Sequence, residues 1–247
     1  VESCASGGGI WAKMKGWAGG DMRSFAEILE LAVARRGSEA AVLEGAVVPL
    51  APAMLAAIPD DRWLAAMARG IFQAGISWKV VEAKWPGIEV AFGGFDPGFV
   101  AMIEGERLEA LLGDTRVIRS GAKIVAIRDN AVMVRASGGF GRKVAAWPEE
   151  DFAGLLAWLA REGSRLGGTT GQYMLRQMGK DSYILTRDVV ARLQEEGVIA
   201  AAPGSARAMA AVQAAFNRWR AESGRSFNES SRVLARSIGP VGIGPGD

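Results

Sequence analysis

The stretch Leu166-Gly167-Gly168-Thr169-Thr170-Gly171 is the part of the chain that says most about its fold. It lies between two segments whose apolar residues recur at helical spacing, so we interpret it as a tight turn between two helices. Such a turn leaves several backbone N–H groups unpaired at the start of the second helix. Together with the helix dipole, these groups favour the binding of a phosphate. The alternative is an ordinary interhelical turn without a ligand.

The turn and the basic residues near it form a candidate contact with a DNA backbone. A contact made by backbone N–H groups and basic side chains holds phosphates without reading the bases. Arg165 precedes the turn, and Arg176 lies about two turns into the second helix. The predicted backbone-binding residues are Gly167, Gly168, Thr169, Thr170, Arg165 and Arg176.

Helical spacing of apolar residues continues on both sides of the turn. Ser24 and Glu27 have the spacing of a capping box, which predicts a helix that ends at Gly37. No segment shows a sustained period-two alternation between hairpin turns, so the sequence predicts an all-α fold. The clearest apolar stripes are Trp63, Leu64, Met67 and Ile71; Ile124, Ile127, Ala131 and Val134; and Phe152, Leu155, Leu156 and Leu159.

Acidic residues and prolines predict several helix boundaries. Asp60 or Asp61 is expected to cap the helix that carries the first of these stripes, and Asp96-Pro97 to be an N-cap followed by a proline at the first helical position. We expect Pro86 to break or restart a later helix, and Pro148 to start the first helix of the hairpin. The second helix of the hairpin is expected over Gln172–Met178.

The composition is that of a globular protein. Of the 247 residues, 49% are hydrophobic and 23% are charged, which allows a sizeable core and argues against wholesale disorder. The formal net charge is only +2, so any DNA-binding face must be basic locally. We expect residues 1–21 to be a loose glycine-rich extension, 22–240 a single helical domain and 241–247 a flexible tail.

The residues that the chain lacks exclude several kinds of site. There is no histidine, and Cys4 is the only cysteine, so a disulfide framework, a Cys/His zinc site and a Ser-His-Asp triad are excluded within one chain. We expect no metal and no cofactor. No apolar run approaches the roughly 20 residues that span a bilayer, and no signal peptide is recognisable. These features predict a cytoplasmic protein without a membrane partner.

An ordered series of motifs resembles the 3-methyladenine DNA glycosylase I family, within the helix-hairpin-helix DNA glycosylases. The series covers about half of the chain, from Arg69 to Leu193. Its pieces are Gln73-Ala74-Gly75-Ile76-Ser77-Trp78, Ala91-Phe92, Phe95-Asp96-Pro97, Asp114, Val117-Ile118-Arg119, Lys123-Ile124, Ile127, Asn130-Ala131, Phe140-Gly141, and the hairpin with Gly179. The resemblance implies a helix-hairpin-helix DNA glycosylase-like helical bundle.

The resemblance also implies an activity, which is excision of an alkylated purine from double-stranded DNA in base excision repair. Such enzymes flip the damaged nucleotide into a pocket, where aromatic side chains stack on its base. Trp78 matches the stacking tryptophan of the family, and we expect Phe72 and Gln73 to line the same base pocket; the alternative is that Trp78 is a core residue. A monomer associated with a bacterial nucleoid is expected.

The sequence departs from the family at two functional positions. The family's base-recognising carboxylate falls on Gly70, and the neighbouring Arg69 has the opposite charge. The zinc clip of two cysteines and two histidines is absent, and its histidine after the hairpin falls on Asp188. The loss of the metal is tolerable if packing fastens the two ends of the chain instead.

Asp188 is the candidate catalytic residue. In the wider superfamily an acidic residue follows the hairpin, and it stabilises the developing sugar cation or orients water. A strict alignment puts Thr186 at that position, and Asp188 or Thr186 is equally suited to cap the helix that follows. Asp181 is a weaker candidate, interpreted as a solvated loop residue.

Two other functions remain open from the sequence. The chain is either an active glycosylase or a non-catalytic helix-hairpin-helix protein that binds DNA and has lost excision. A helical interaction module that does not bind DNA is the third hypothesis, and it leaves the order of hairpin, helix and acidic loop unexplained.

Overall fold

The computed structural model describes residues 22–239, and its regular elements are all helices. No strand occurs in this part of the chain, so the predicted all-α class is confirmed. The predictions for residues 1–21, including Cys4, and for residues 240–247 lie outside the described residues.

Fourteen α-helices follow one another within the described residues. They are α1 (Phe25–Arg36), α2 (Glu39–Leu43), α3 (Pro52–Ala57), α4 (Asp60–Gln73), α5 (Trp78–Ala91), α6 (Pro97–Ala101), α7 (Gly105–Gly113), α8 (Gly121–Ala136), α9 (Phe140–Ala145), α10 (Phe152–Glu162), α11 (Gly168–Gln177), α12 (Arg187–Glu195), α13 (Ala206–Ser223) and α14 (Phe227–Arg236). Short 3₁₀ turns cover Gly93–Phe95 and Glu149–Asp151.

Several predicted helix ends are confirmed. The Ser24 hydroxyl accepts from the Glu27 N–H, the Glu27 side chain accepts from the Ser24 N–H, and α1 ends at Gly37 in the left-handed conformation. Asp96 caps α6 by accepting from the N–H of Phe99. These ends follow local rules, because each cap bonds within three residues.

Three predicted boundaries are wrong. Pro59 is the N-cap of α4, and the Asp60 carboxylate accepts instead from the backbone N–H of Phe140, 2.9 Å away. Helix α5 continues through Pro86, since the residues on either side of the proline in this helix pack into the core. Pro148 begins only a 3₁₀ turn, and α10 starts at Phe152 with Asp151 as its cap.

Helix α4 is at the centre of the core. Trp63, Leu64, Met67 and Ile71 are each at most 1% exposed, which confirms the predicted stripe. The helix packs against α5, α8 and α11, so it links the first half of the chain to the hairpin. The burial of these closely packed apolar side chains is the main source of the stability of the fold.

The first and last described helices fasten to each other by packing and by a buried ion network. Helices α1 and α2 pack on α14. Glu196, whose side chain is 1% exposed, accepts from the backbone N–H and guanidinium of Arg23 and from Arg192. Arg192 also donates to the hydroxyl and carbonyl of Ser237. Packing and ion pairs therefore join the N-terminal and C-terminal parts of residues 22–239.

None of the helices between residues 22 and 239 is long and apolar enough to cross a lipid bilayer.

Candidate functional site

The glycine-rich turn joins α10 to α11 through residues 163–167. Leu166 is 1% exposed and anchors the turn in the core. Arg165 has a φ of 59° and Gly168 a φ of 58°, so the backbone is left-handed on both sides of that anchor. A Cβ atom at Gly171 would lie 2.4 Å from the Leu166 carbonyl oxygen, which only glycine permits. The predicted tight turn is therefore built by one buried leucine and two glycines.

Helix α11 begins at Gly168, which is earlier than predicted. No side chain caps it, and Gly167, Gly168 and Thr169 are exposed. A Cβ atom at Gly168 would meet nothing within 4 Å. Because the first N–H groups of a helix have no partner within it, the glycine-threonine stretch itself provides the donors that an anion requires.

Asn130 of α8 holds the turn in place. Its amide nitrogen donates to the Ser164 carbonyl at 2.9 Å, and its amide oxygen accepts from the Ser164 N–H at 2.8 Å. The Asn130 side chain is fully buried, so both bonds are shielded from water. The hairpin is thereby fixed to α8.

Helix α11 also passes close to α4. A Cβ atom at Gly70 would lie 3.3 Å from Cγ2 of Thr170, which is closer than an ordinary van der Waals contact. A larger residue at position 70 would therefore press on the first turn of α11. This contact gives a physical reason for glycine at position 70.

Trp78 lies at the surface beside the hairpin, not in the core. It is the first residue of α5 and is 50% exposed. Its ring stands edge-on to the ring of Tyr173 in α11, with centroids 5.9 Å apart and an angle of 87° between the planes. The interpretation of Trp78 as a core residue is therefore wrong.

The other two predicted pocket residues have different positions. Phe72 is fully buried and packs edge-on against Phe92, so it belongs to the core and does not line an open pocket. Gln73 is 8% exposed, and its amide donates to the Glu82 carboxylate at 3.1 Å. Glu82, which accepts from Gln73, lies one helical turn after Trp78 in α5.

A lysine from α8 caps the end of α4. The Lys123 ammonium group donates to the carbonyls of Phe72 and Ala74, at 3.0 and 2.7 Å. Burial lowers the pKa of Lys123, and the charge of Arg165 lowers it further. The end of α4 and the hairpin turn therefore carry two neighbouring positive charges.

The two arginines predicted to contact DNA differ in how far their side chains are exposed to solvent. Arg165 is exposed on the turn. Arg176 donates to the Ser182 carbonyl at 2.5 Å, and burial lowers its pKa to about 10. It supports the loop after α11 and lies eight residues beyond Gly168, so the prediction that it adds charge beside the turn is wrong.

One threonine and two aspartates in the segment after the hairpin have separate roles. Thr186 caps α12, because its hydroxyl accepts from the Val189 N–H at 3.3 Å. Asp188 lies in the first turn of α12 with its side chain 42% exposed, and it pairs with Arg187 at 3.2 Å. Asp181 accepts from the N–H groups of Phe227 and Asn228 at the start of α14, so its interpretation as a solvated residue is wrong.

Four residues of this region make contacts there but were not predicted as site residues. They are Lys123, Asn130, Tyr173 and Glu82. The signal for Asn130 was present, since an amide on the apolar stripe of α8 requires a buried partner. Tyr173 and Glu82 carry no such signal, because their importance depends on how α5 and α11 meet.

The residues present do not fit a zinc centre of two cysteines and two histidines, the kind found in the family that the sequence resembles. No group of three or more histidine, cysteine, aspartate and glutamate side chains suited to a metal occurs in residues 22–239. The whole chain has no histidine and a single cysteine.

Comparison with known proteins gives one family and one solved structure. Residues 58–147 match the methyladenine glycosylase family, which confirms the resemblance predicted from the motifs. The matched segment includes Trp78, Glu82, Lys123 and Asn130 and ends before α10. A crystal structure of 3-methyladenine DNA glycosylase I is 26% identical, covers 54% of this chain and 81% of its own chain, and superposes with a TM-score of 0.43.

Proposed function

We propose that this chain, whose residues 58–147 match the methyladenine glycosylase family, is a DNA N-glycosylase that removes an alkylated purine from double-stranded DNA. The element α10–turn–α11 is its helix-hairpin-helix, and the N–H groups of residues 167–170 bind the DNA backbone. Trp78 receives the flipped base. The protein acts in base excision repair, without a cofactor.

The observation that carries the proposal is the contact between Trp78 and Tyr173. Tyr173 lies three residues after Thr170 on α11, which is about 4.5 Å along the helix axis. A half-exposed tryptophan therefore contacts a side chain of the helix that begins with the uncapped amides. This spacing supports a site in which one protein element holds a phosphate while the adjacent ring stacks on a base.

Excision requires little acid catalysis when the base is alkylated. The purine of a 3-methyladenine nucleotide is already cationic, so the electron pair of the glycosidic bond neutralises the base as it leaves. Water then adds to C1′ of the sugar and loses a proton. Positioning and electrostatic stabilisation are sufficient contributions from the protein.

Asp188 is the proposed catalytic residue for the sugar side of the reaction. Its carboxylate is not used as a helix cap, because Thr186 provides that cap. A partly exposed carboxylate near the loop after the hairpin is suited to stabilise a developing sugar cation or to orient water. Its pairing with the almost fully exposed Arg187 is weak, since surface ion pairs contribute little.

The proposal is tested by measuring bases released from methylated DNA. Duplex DNA treated with a methylating agent is incubated with the purified full chain, and free bases are separated by chromatography. We expect methylated purines to appear in proportion to enzyme and time. No release, under conditions in which a known glycosylase excises the same lesions, would reject the activity for those lesions.

A non-catalytic DNA-binding protein is the second candidate. The observation in its favour is Gly70, which removes the carboxylate that the family uses to recognise the base. This candidate predicts duplex binding that weakens steeply with salt, together with no base release. A lack of duplex binding even at low salt would contradict both candidates and favour a helical interaction module.

A further inference from the structure

A carboxylate from α5 lies beside the proposed base site. One oxygen of Glu82 accepts from the Gln73 amide at 3.1 Å, and the other is 3.5 Å from the guanidinium of Arg69. Arg69 and Gln73 are one helical turn apart on α4, with Gly70 between them. Glu82 therefore brings a negative charge to the part of α4 where glycine leaves no side chain.

The same carboxylate shares a helix face with the exposed tryptophan. Trp78 and Glu82 are four residues apart in α5, a spacing that puts two side chains next to each other. The Glu82 side chain is 48% exposed, so it is accessible to a ligand at the tryptophan. Trp78, whose ring meets Tyr173, is 50% exposed.

The existing partners of Glu82 leave it able to bind a ligand. The Gln73 bond uses one acceptor position of a group that has about four. The contact with Arg69 is long and partly solvated, and the Arg69 guanidinium also lies 4.2 Å above the ring of Trp85. A cation–π contact of this kind gives the arginine a second favourable position when Glu82 turns to another partner.

We propose that Glu82 is a specificity-determining residue that selects a positively charged purine stacked at Trp78 over a neutral one. This inference rests on the proposed function, because it assumes that Trp78 receives a base. The carboxylate attracts the positive charge and accepts a hydrogen bond from an amino group or ring N–H. A site that binds a base by stacking alone has no such selectivity, because every base has a π face.

The experiment measures the binding of two nucleosides to the full-length protein. The probes are 1-methyladenosine, whose purine is cationic at neutral pH, and adenosine, which is neutral. Binding is followed by NMR at the indole N–H of Trp78, assigned by comparison with Trp78→Phe. We expect the wild type to bind the cationic nucleoside at least about tenfold more tightly than the neutral one, the ratio that about 1.4 kcal/mol of charge-assisted bonding gives.

Three variants isolate the carboxylate. Glu82→Gln keeps an acceptor for Gln73 and is expected to bring the two affinities within about twofold of each other. Glu109→Gln removes the same charge from the exposed face of α7 and is expected to leave the ratio unchanged. Arg69→Gln removes the cation that pairs with Glu82. It is expected to maintain or increase the ratio of the affinity for 1-methyladenosine to that for adenosine.

Each result of the binding experiment either supports or overturns the role of Glu82. A wild type without preference, a preference that survives in Glu82→Gln, or no shift of the Trp78 signal up to the solubility of both nucleosides would overturn the role of Glu82. A preference that Glu82→Gln abolishes supports it even if no base is released from DNA. In that case the glycosylase activity alone is rejected, so the two failures are distinguishable.

Discussion

The ring of Trp78 meets the ring of Tyr173 edge-on, 5.9 Å from centroid to centroid, and this contact joins the start of α5 to the hairpin helix α11. Edge-on pairs contribute about 0.5–1.5 kcal/mol beyond their buried area. The pair fixes the direction of an exposed indole relative to the uncapped start of α11. The proposed phosphate site and the proposed stacking surface are thereby joined by a direct contact between two helices.

The exposed arginine of the turn gives the first test of the DNA contact. We expect Arg165→Gln to weaken duplex binding for all sequences alike and to lower the slope of log affinity against log salt by about one, because one phosphate contact is lost. Arg207→Gln removes the same charge from the exposed start of α13 and serves as the control. Equal slopes for Arg165→Gln and the wild type, measured by fluorescence anisotropy, would exclude Arg165 from the interface.

Two substitutions distinguish the role of Thr186 in stability from the proposed role of Asp188 in catalysis. Thr186→Ala removes the cap of α12 and is expected to lower the free energy of unfolding by about 1 kcal/mol. Asp188→Asn is expected to leave that free energy nearly unchanged and to lower the rate of base release at least about tenfold, because a neutral amide stabilises a sugar cation poorly. Urea unfolding and single-turnover assays measure the two effects. Full activity in Asp188→Asn would remove its catalytic assignment.

The ion network around Arg192 contains a matched pair of glutamates. Both bond to Arg192, but the side chain of Glu196 is 1% exposed and that of Glu195 is 57% exposed. We expect Glu196→Ala to lower the free energy of unfolding by about 3–5 kcal/mol, because it removes the buried carboxylate partner of Arg192 and leaves only the exposed one of Glu195. Glu195→Ala is expected to cost less than about 1 kcal/mol. Similar values for both variants in urea unfolding would contradict the structural role of the buried Glu196 carboxylate.

A buried tyrosine predicts a pH dependence. Tyr183 is fully buried and donates to Gln213 at 3.1 Å, and burial raises the pKa of its phenol well above the ordinary value. The folded state therefore retains a proton that the unfolded chain loses near pH 10. The stabilisation is present below about pH 10 and is lost above it, by up to about 1.4 kcal/mol per pH unit.

The measurement for Tyr183 is urea unfolding at pH 9 and pH 11 in the wild type and in Tyr183→Phe. Other groups that titrate at high pH, including Lys180 and Arg176, are common to both proteins, so they cancel in the difference. We expect the wild type to lose stability relative to Tyr183→Phe as the pH rises. A difference that does not change with pH would show that the phenol ionises in the folded state.

The helices could be predicted from the sequence where local chemistry decides them. The capping box at Ser24, the cap at Asp96 and the stripe that includes Trp63 follow from spacing alone, and all are confirmed. Pro86 shows the limit of local rules. Tertiary burial of its neighbours outweighs the one hydrogen bond that a proline removes from a helix.

The site was predictable only in part, because its members meet across helices. The motif that ends in Trp78 and the glycine-rich turn mark two of its segments along the chain. The contacts of Tyr173 with Trp78 and of Glu82 with Gln73 depend on how α4, α5 and α11 cross, which one sequence does not specify. Arg176 shows the opposite error, since its charge suggested a surface contact and its guanidinium is buried in a loop interaction.

Single-turnover release of methylated purines from duplex DNA, compared between the wild type and Trp78→Ala, tests the central claim most directly. Stacking on an aromatic side chain contributes about 1–3 kcal/mol per base, so we expect release by Trp78→Ala to be about 10–100-fold slower. Trp147→Ala, which truncates a partly buried tryptophan packed on Trp158, is the control and is expected to retain activity once its folding is verified. Release by the wild type that Trp78→Ala leaves unchanged, or no release by the wild type, would contradict the account.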